Sequence, residues 1–558
     1  MKALAFVLHS HLPYVVNHGT WPHGAEWLYE AAAECYVPLY WVFRKLEERG
    51  VRQAVTLGIT PILAEQLRMP EFQQGFRQYL EAKQASAADD EQTFRRLGLD
   101  HRARVARFWQ TFYWQVAQTF DELDGDLVQA FARLQEAGVV EILTSAATHG
   151  YLPLLGRDEA VWGQVLEGAR AYRRHFGRPA RGLWPPELAY RPAYRWRRPT
   201  DGKEMDRHGV EHFYHRAGLR FFLVDHHLLK GGRAIGTYLS VFPGLKALWQ
   251  RFEEEHRPEE RERDPHRPYY ALSPGSEGPV AFFTRDPKTA QQVWSRDIGY
   301  PGDPAYLEFH KKHFPSGHRY WRVTDAKADL ADKQEYDPDA VLPVIQNHVR
   351  HFVGVVQEIL ARKDTGVVVS PFDTELFGHW WFEGPRWLEG VLQSLAEPGS
   401  AVRPTTLSQA LEALPPEEVV HLPEGSWGEG GFHWVWYNDD TAWTWRHIHR
   451  LEDAFFEVLP GLAPAHLGRR LARQMARELL LLESSDWQFL ITTWSARDYA
   501  EQRVTRHVED LERLLTLARA LLAQQTWQDA DFRFLETLEQ RDRIFPDINP
   551  FEWMEANA

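Results

Sequence analysis

The stretch Val367-Val-Val-Ser-Pro-Phe-Asp373-Thr-Glu375-Leu-Phe-Gly-His379-Trp380-Trp381-Phe-Glu383-Gly decides the architecture. Three consecutive valines without alternation read as a parallel strand buried on both faces. A polar cluster follows at once, with Asp373, Glu375 and His379 beside two adjacent tryptophans. In parallel α/β barrels the chemistry collects at the carboxyl ends of the strands. A buried strand that runs into carboxylates therefore points to the fold and to its site together.

Working outward, the same pattern recurs. Ala3 to Leu8, Val139 to Thr144, Gly182 to Trp184, Phe221 to Val224 and Val280 to Phe283 are short, β-rich apolar runs followed by polar or Gly/Pro residues. Helical periodicity fills the intervals, as in Ala160 to His175 and Leu342 to Arg362. Alternation of this kind over about 400 residues predicts an α/β barrel across 1–400. Two segments look inserted: a polar helical excursion over 65–134, and a stretch over 228–270 whose charge-dense run from Arg251 to Asp264 reads as a solvated helix or loop. Near 396–404 the chain gains Pro, Gly and Ser, a boundary signal. Beyond it, Leu451 to Leu482 and Ala500 to Gln525 have helix periodicity, which predicts a mainly helical C-terminal domain over 401–558.

Composition excludes several classes. The chain has 558 residues, 44% hydrophobic and 25% charged, enough to bury a large core. One cysteine, Cys35, rules out an intramolecular disulfide framework. A net charge of −14 disfavours nucleic acid and suits a neutral ligand. No apolar run is long enough to span a membrane. The opening Met1 to His9 reads as a buried strand rather than a signal peptide, which predicts a cytoplasmic protein. Scarce Asn and abundant Arg suggest a thermophilic source. The oddity is aromatic content, 13% with 23 Trp.

The polar groups that follow the apparent strands carry the chemistry. His9-Ser-His11 places two imidazoles on one face of the first strand, fit for a metal or for a polar ligand. His149 follows the strand at 139–144 as either a turn residue or a ligand group. Leu183-Trp-Pro-Pro-Glu187 sets a carboxylate behind two prolines that fix the backbone, either as a nucleophile requires or as an exposed glutamate at a helix start. Glu187 and Asp373 could be the two carboxylates of glycosidic-bond chemistry. Sugars present hydroxyl edges and apolar faces, so carboxylates with aromatic platforms match them. Trp27, Trp184, Trp380, Trp381, Trp427, Trp436 and Trp487 stand beside these polar groups as candidate platforms. Trp109 and Trp114 read as core. Asp486 stands at the end of an apolar helix, where the dipole does not favour an acid, which hints at ligand contact. No phosphate-binding loop, dinucleotide fingerprint, zinc-protease or serine-hydrolase motif is present.

Five stretches occur in one order: His9-Ser-His11-Leu-Pro13, Thr148-His149-Gly150-Tyr151, Leu183-Trp-Pro-Pro-Glu187, Ser370-Pro-Phe-Asp373-Thr-Glu375 and Ser484-Ser-Asp486-Trp487. Together they resemble glycoside hydrolase family 57, and within it the 1,4-α-glucan branching enzymes. The latter share Glu26-Trp27-Leu-Tyr-Glu-Ala-Ala32, Phe283-Thr-Arg285-Asp286, Gly299-Tyr-Pro-Gly302-Asp303 and Phe377-Gly-His379-Trp-Trp381. The third motif often reads Trp-Leu-Pro-Glu; here Pro185 replaces the apolar residue.

The resemblance implies a (β/α)7 pseudo-TIM barrel with a helical insertion and a helical C-terminal domain. It implies Glu187 as nucleophile, Asp373 as general acid/base, and retention of configuration. It places Arg285, Gly302, Trp427 and Asp486 along the glucan, and has His9, His11 and His149 bind sugar hydroxyls rather than a metal. Branching enzymes carry a tyrosine on the loop over the site, for which Tyr238 is the candidate. The implied partner is an α-glucan, amylose or glycogen-like, with no cofactor and no metal; the sequence leaves the oligomeric state open, with a monomer favoured. Hydrolysis by an α-amylase and transfer by a 4-α-glucanotransferase are the alternatives on the same scaffold. A metal-dependent carbohydrate enzyme using His9, His11, His149 and Asp225, or a glucan-binding protein without turnover, are the readings from other classes.

Overall fold

The computed structural model describes residues 1–231, 263–295, 298–325 and 327–556. Tyr238 and most of the charge-dense run lie outside them. The described strands, in chain order, are β1 (Lys2–Ser10), β2 (Val55–Ile59), β3 (Val140–Ser145), β4 (Gly182–Trp184), β5 (Tyr194–Arg197), β6 (Glu204–Arg207), β7 (Phe221–Val224), β8 (Tyr269–Ala271), β9 (Val280–Thr284), β10 (Gly366–Asp373), β11 (Arg403–Pro404) and β12 (Val419–Val420). Helices separate most of them, so the mixed α/β pattern predicted from the sequence is present. The residues from Ala442 onward are mainly helical, again as predicted.

The chain divides into two compact units, each built from separate stretches. The first comprises 1–57, 66–142 and 285–414. Its centre is the parallel pair β1 and β10, in register from Lys2↔Gly366 to His9↔Asp373. Ala3 to Leu8 are all fully buried, which is why that run carries no alternation. Phe6 stacks on Phe352 at 5.7 Å and meets the edge of Trp387 at 5.9 Å. Aromatic burial of this kind contributes about 1.5–3 kcal/mol per side chain.

The excursion predicted over 65–134 is a pair of long helices, Pro70–Arg96 and Asp100–Glu122. Gly98 makes the turn between them with φ +70°. Phe76 and Phe120 pack edge to face across the pair at 4.9 Å. Trp109 is core, as expected. Trp114 is not: it is 52% exposed, on the outer face of its helix.

The second unit comprises 58–65, 143–284 and 415–558. Here β3 pairs with β4, β4 with β7 and β7 with β9, all parallel. β8 runs antiparallel to β9 and parallel to β12. β5 and β6 form a separate hairpin. Its helices include Ala442–Leu462, His466–Leu482, Asp486–Thr493 and Arg497–Leu522. The periodicity read over 451–482 thus belongs to two helices, broken around Pro464, which has no N–H for the ladder.

Candidate functional site

Glu187 ends the tight run after β4. Pro185 has φ −62° and ψ 131°, an extended geometry that its ring favours. Glu187 itself lies at φ 61°, ψ 22°, and Leu188 follows at φ 47°. Left-handed backbone at non-glycine residues costs free energy and persists only where its surroundings over-determine it. They do so here. The Trp427 amide donates to the Glu187 carbonyl at 3.0 Å, and the Trp427 indole Nε1–H donates to Glu187 Oε2 at 2.9 Å. Ser485 Oγ donates to Oε1 at 3.1 Å, and His149 Nδ1 stands 3.8 Å from the same oxygen. His149 is also left-handed, at φ 61°. Its Nδ1 lies 2.9 Å from Ser485 Oγ, and its carbonyl accepts the Ser485 amide at 3.0 Å. Each carboxylate oxygen therefore has a placed donor, and Glu187 is held in one position.

The aromatic residues divide into contact and support. The Trp184 and Trp427 rings meet edge to face at 5.2 Å. Trp436 is buried and stacks on Tyr151 at 4.5 Å. Tyr151 OH pairs with His433 Nδ1 at 2.7 Å, and His433 Nε2 with Glu424 at 2.8 Å. Burial pushes the Tyr151 hydroxyl well above the usual phenol range, so it stays protonated. Gly428 is required by Trp436: a Cβ there would stand 2.5 Å from the indole. Trp487 is fully buried, its indole N–H donating to the Leu481 carbonyl at 2.8 Å and its ring under the Arg503 guanidinium. Trp487 is thus a packing residue in this unit.

Asp486 corrects the sequence reading. It does not close an apolar helix. The helix ends at Leu482, and Asp486 opens the next one, Asp486–Thr493, where the dipole favours an acid. Its Oδ2 accepts from Ser484 Oγ at 2.5 Å.

The other unit carries Asp373, His9, His11, Arg285, Gly302 and Trp27. Asp373 ends β10 and faces His9 in the β1 register. The residues after it are clamped. Thr374 Oγ1 accepts from Ser10 Oγ at 2.9 Å, and the Thr374 carbonyl from the Cys35 thiol at 2.9 Å. Glu375 Oε1 accepts from Tyr36 OH at 2.5 Å and from the His11 amide at 3.1 Å. Burial, only partly offset by these donors, pushes the Glu375 carboxyl up to about 7.

Cys35 and Tyr36 belong to a π-helical turn, Ala32–Tyr36, inside a longer helix. Such turns recur at functional sites. Gly378, at φ +111°, passes so close that a Cβ would lie 1.8 Å from the Glu34 carbonyl. In the same turn, Glu34 receives Arg319 at 2.8 Å and His379 Nδ1 at 2.8 Å. Burial alone would raise its carboxyl; Arg319 and His379 outweigh it and hold Glu34 down at about 2.

Burial, with His11 as like-charged neighbour, holds His9 well below the usual imidazole range. His9 is therefore neutral near pH 7, with one donor and one acceptor nitrogen. The two rings lie 6.0 Å apart. Arg285 is buried just beyond β9, and Gly302 is exposed at the end of the short helix Tyr300–Gly302. Trp27 is half-buried, 5.2 Å from His23. Sequence reasoning singled out neither Ser485, although it stands inside a quoted motif, nor the pair Cys35 and Tyr36, which no local pattern announces.

A carboxylate fixed in a strained turn by two donors is equipped for attack at a single atom. Residues 5–423 match the family model for glycosyl hydrolase family 57. The chain belongs to glycosyl hydrolase family 57. Residues 447–553 of this family 57 protein also match the model described as 1,4-alpha-glucan branching enzyme, C-terminal. A 1,4-alpha-glucan branching enzyme of Thermococcus kodakarensis is 41% identical over 549 residues, covering 97% of this chain and 77% of that one. A probable 1,4-alpha-glucan branching enzyme of Mycobacterium tuberculosis is 31% identical, covering 97% and 95%. Among solved structures, the Thermococcus family 57 branching enzyme superposes with a TM-score of 0.90 at 40% identity, covering 99% of this chain and 96% of that one. An α-amylase of Thermotoga maritima superposes with a TM-score of 0.79 at 27% identity, covering 99% of each. Among the described residues, no helix is long and apolar enough to cross a membrane.

Proposed function

We propose that this family 57 protein is a retaining 1,4-α-glucan branching enzyme, with Glu187 as nucleophile and Asp373 as general acid/base. The observation that carries the site assignment is the fixation of Glu187 by Trp427, Ser485 and a left-handed backbone. The likeness to branching enzymes over nearly the whole chain supplies the reaction class.

Glu187 attacks the anomeric carbon of an internal α-1,4 bond. Asp373 gives its proton to the leaving oxygen, and the fragment is held as a β-glycosyl ester. Asp373 then takes the proton of an acceptor 6-hydroxyl, which attacks the ester and forms an α-1,6 link with net retention. His9, His11 and His149 bond sugar hydroxyls. Trp27 and Trp427 line the glucan, with Arg285, Gly302 and Asp486, and Trp436 packs on Tyr151 as buried support. The enzyme acts as a monomer in the cytoplasm, in the synthesis of a glycogen-like polymer.

Amylose incubated with the protein tests the reaction. New α-1,6 anomeric proton signals, with few added reducing ends, are the expected result, and Glu187→Gln should give neither. Reducing ends without α-1,6 signals would instead assign hydrolysis, the reading favoured by the α-amylase likeness. Shortened and lengthened linear chains would assign 4-α-glucan transfer.

A further inference from the structure

Trp494 is 67% exposed and buries little apolar surface. It caps the helix Asp486–Thr493 in the left-handed conformation, φ 59° and ψ 18°. Glycine or asparagine fills that position at low cost, and a bulky side chain is disfavoured there. An indole held in strained backbone and turned to solvent is not explained by packing. It is nonetheless fixed. The Arg497 guanidinium lies 4.4 Å from the ring centroid. Arg497 is anchored by Glu501 at 2.8 Å and by Asp440 at 3.5 Å. With one face taken by the guanidinium, the exposure of the ring belongs to the other.

Two elements tie this platform to Glu187. The helix it ends begins directly after Ser485, the donor to Glu187 Oε1. Eight helical residues span about 12 Å. The segment from Trp427 to Asn438 starts at the other donor to Glu187 and ends on the same helix, because Asn438 Nδ2 donates to Thr492 Oγ1 at 3.0 Å. Asn438 Oδ1 in turn accepts the Asp440 amide at 3.0 Å. The indole, Arg497 and Asp440 thus form one preorganised unit, an apolar face braced from behind by an anchored guanidinium.

We propose that Trp494, backed by Arg497, is an outlying binding platform for an α-1,4-glucan chain. A pyranose ring stacks on the open indole face, while Arg497, tied to Glu501 and Asp440 behind the opposite face, holds the indole in place. The platform holds long chains that extend beyond the reacting bond, and short donors depend on it less. The proposal rests on the reading of the substrate as glucan.

Binding is measured in native gels containing amylose, comparing Glu187→Gln with Glu187→Gln/Trp494→Ala. The apparent Kd should rise about three- to tenfold in the double variant, the scale of one aromatic contact. Trp494→Phe in place of Ala should recover part of the loss. With Glu187 intact, the ratio of KM for amylose to KM for maltoheptaose should rise by a similar factor in Trp494→Ala. Trp494→Gly relieves the left-handed backbone, so it should melt no lower than the parent while binding amylose as weakly as Trp494→Ala; a folding defect cannot mimic that pair of results. Equal amylose affinity with and without Trp494, or an unchanged KM ratio, overturns the platform. Failure of the glucan reading is distinguishable, because then the Glu187→Gln single variant would itself migrate unretarded.

Discussion

At the residue scale, the account turns on how a single carboxylate is held. Glu187 accepts from the Trp427 indole and the Ser485 hydroxyl, one donor on each oxygen. Hydrogen bonds to a charged group contribute about 1.5–3 kcal/mol. Trp427→Phe and Ser485→Ala should each lower kcat/KM about 10- to 100-fold, with melting temperatures close to the parent. Combined, they should cost less than the product of the single effects, because both act on one group. Full additivity in a kinetic double-mutant cycle would contradict a shared role. Glu187 was legible in the sequence because two prolines and a strand end announce a fixed carboxylate. Ser485 was not, because its partner lies 298 positions away and only the folded chain brings them together.

At the scale of elements, the π-helical turn Ala32–Tyr36 is the least legible feature. An i→i+5 turn has no periodicity of its own in the sequence; it follows from the segment packed against it. Gly378 is the contact that leaves no room. Gly378→Ala puts a Cβ 1.8 Å from the Glu34 carbonyl in a backbone at φ +111°. That change should destabilise the protein by about 2–4 kcal/mol, read from denaturant midpoints.

The same turn clamps Glu375, whose carboxyl is held near 7 against an ordinary 4.5. Between those values the folded protein binds more protons than the unfolded chain. The stability contributed by the neutral carboxyl is whole below about 4.5 and is lost as the pH rises through 7. Glu375→Gln is neutral throughout and keeps an oxygen for Tyr36 and His11. Its stability relative to the parent should therefore rise between pH 5 and pH 8, by at most about 3 kcal/mol. A difference that does not move with pH would sink this reading. β2 was missed for a simpler reason: Val55-Thr-Leu-Gly-Ile59 is short and contains a glycine, which weakens any strand signal. Asp486 was misplaced because the polar step from Glu483 to Ser485 is too short to announce that a second helix opens at Asp486.

At the scale of the whole molecule, five ordered motifs on successive strand ends and loops carried more than composition did. The architecture was legible because buried parallel strands have few alternatives to apolar runs. The aromatic excess was only half legible. Trp427 does touch Glu187, whereas Trp487 and Trp381 are buried packing residues, and Trp494 was passed over because Thr493 and Ser495 beside it form no recognisable motif. The net charge of −14 remains consistent with a neutral polymer as substrate.

The central claim is that Glu187 is the nucleophile of a retaining transfer, and azide rescue of Glu187→Ala on an α-maltosyl fluoride donor tests it most directly. The account predicts that azide restores turnover and yields the β-configured glycosyl azide, since the small anion takes the place of the missing carboxylate. An α-configured azide, or no azide product at all, would contradict it.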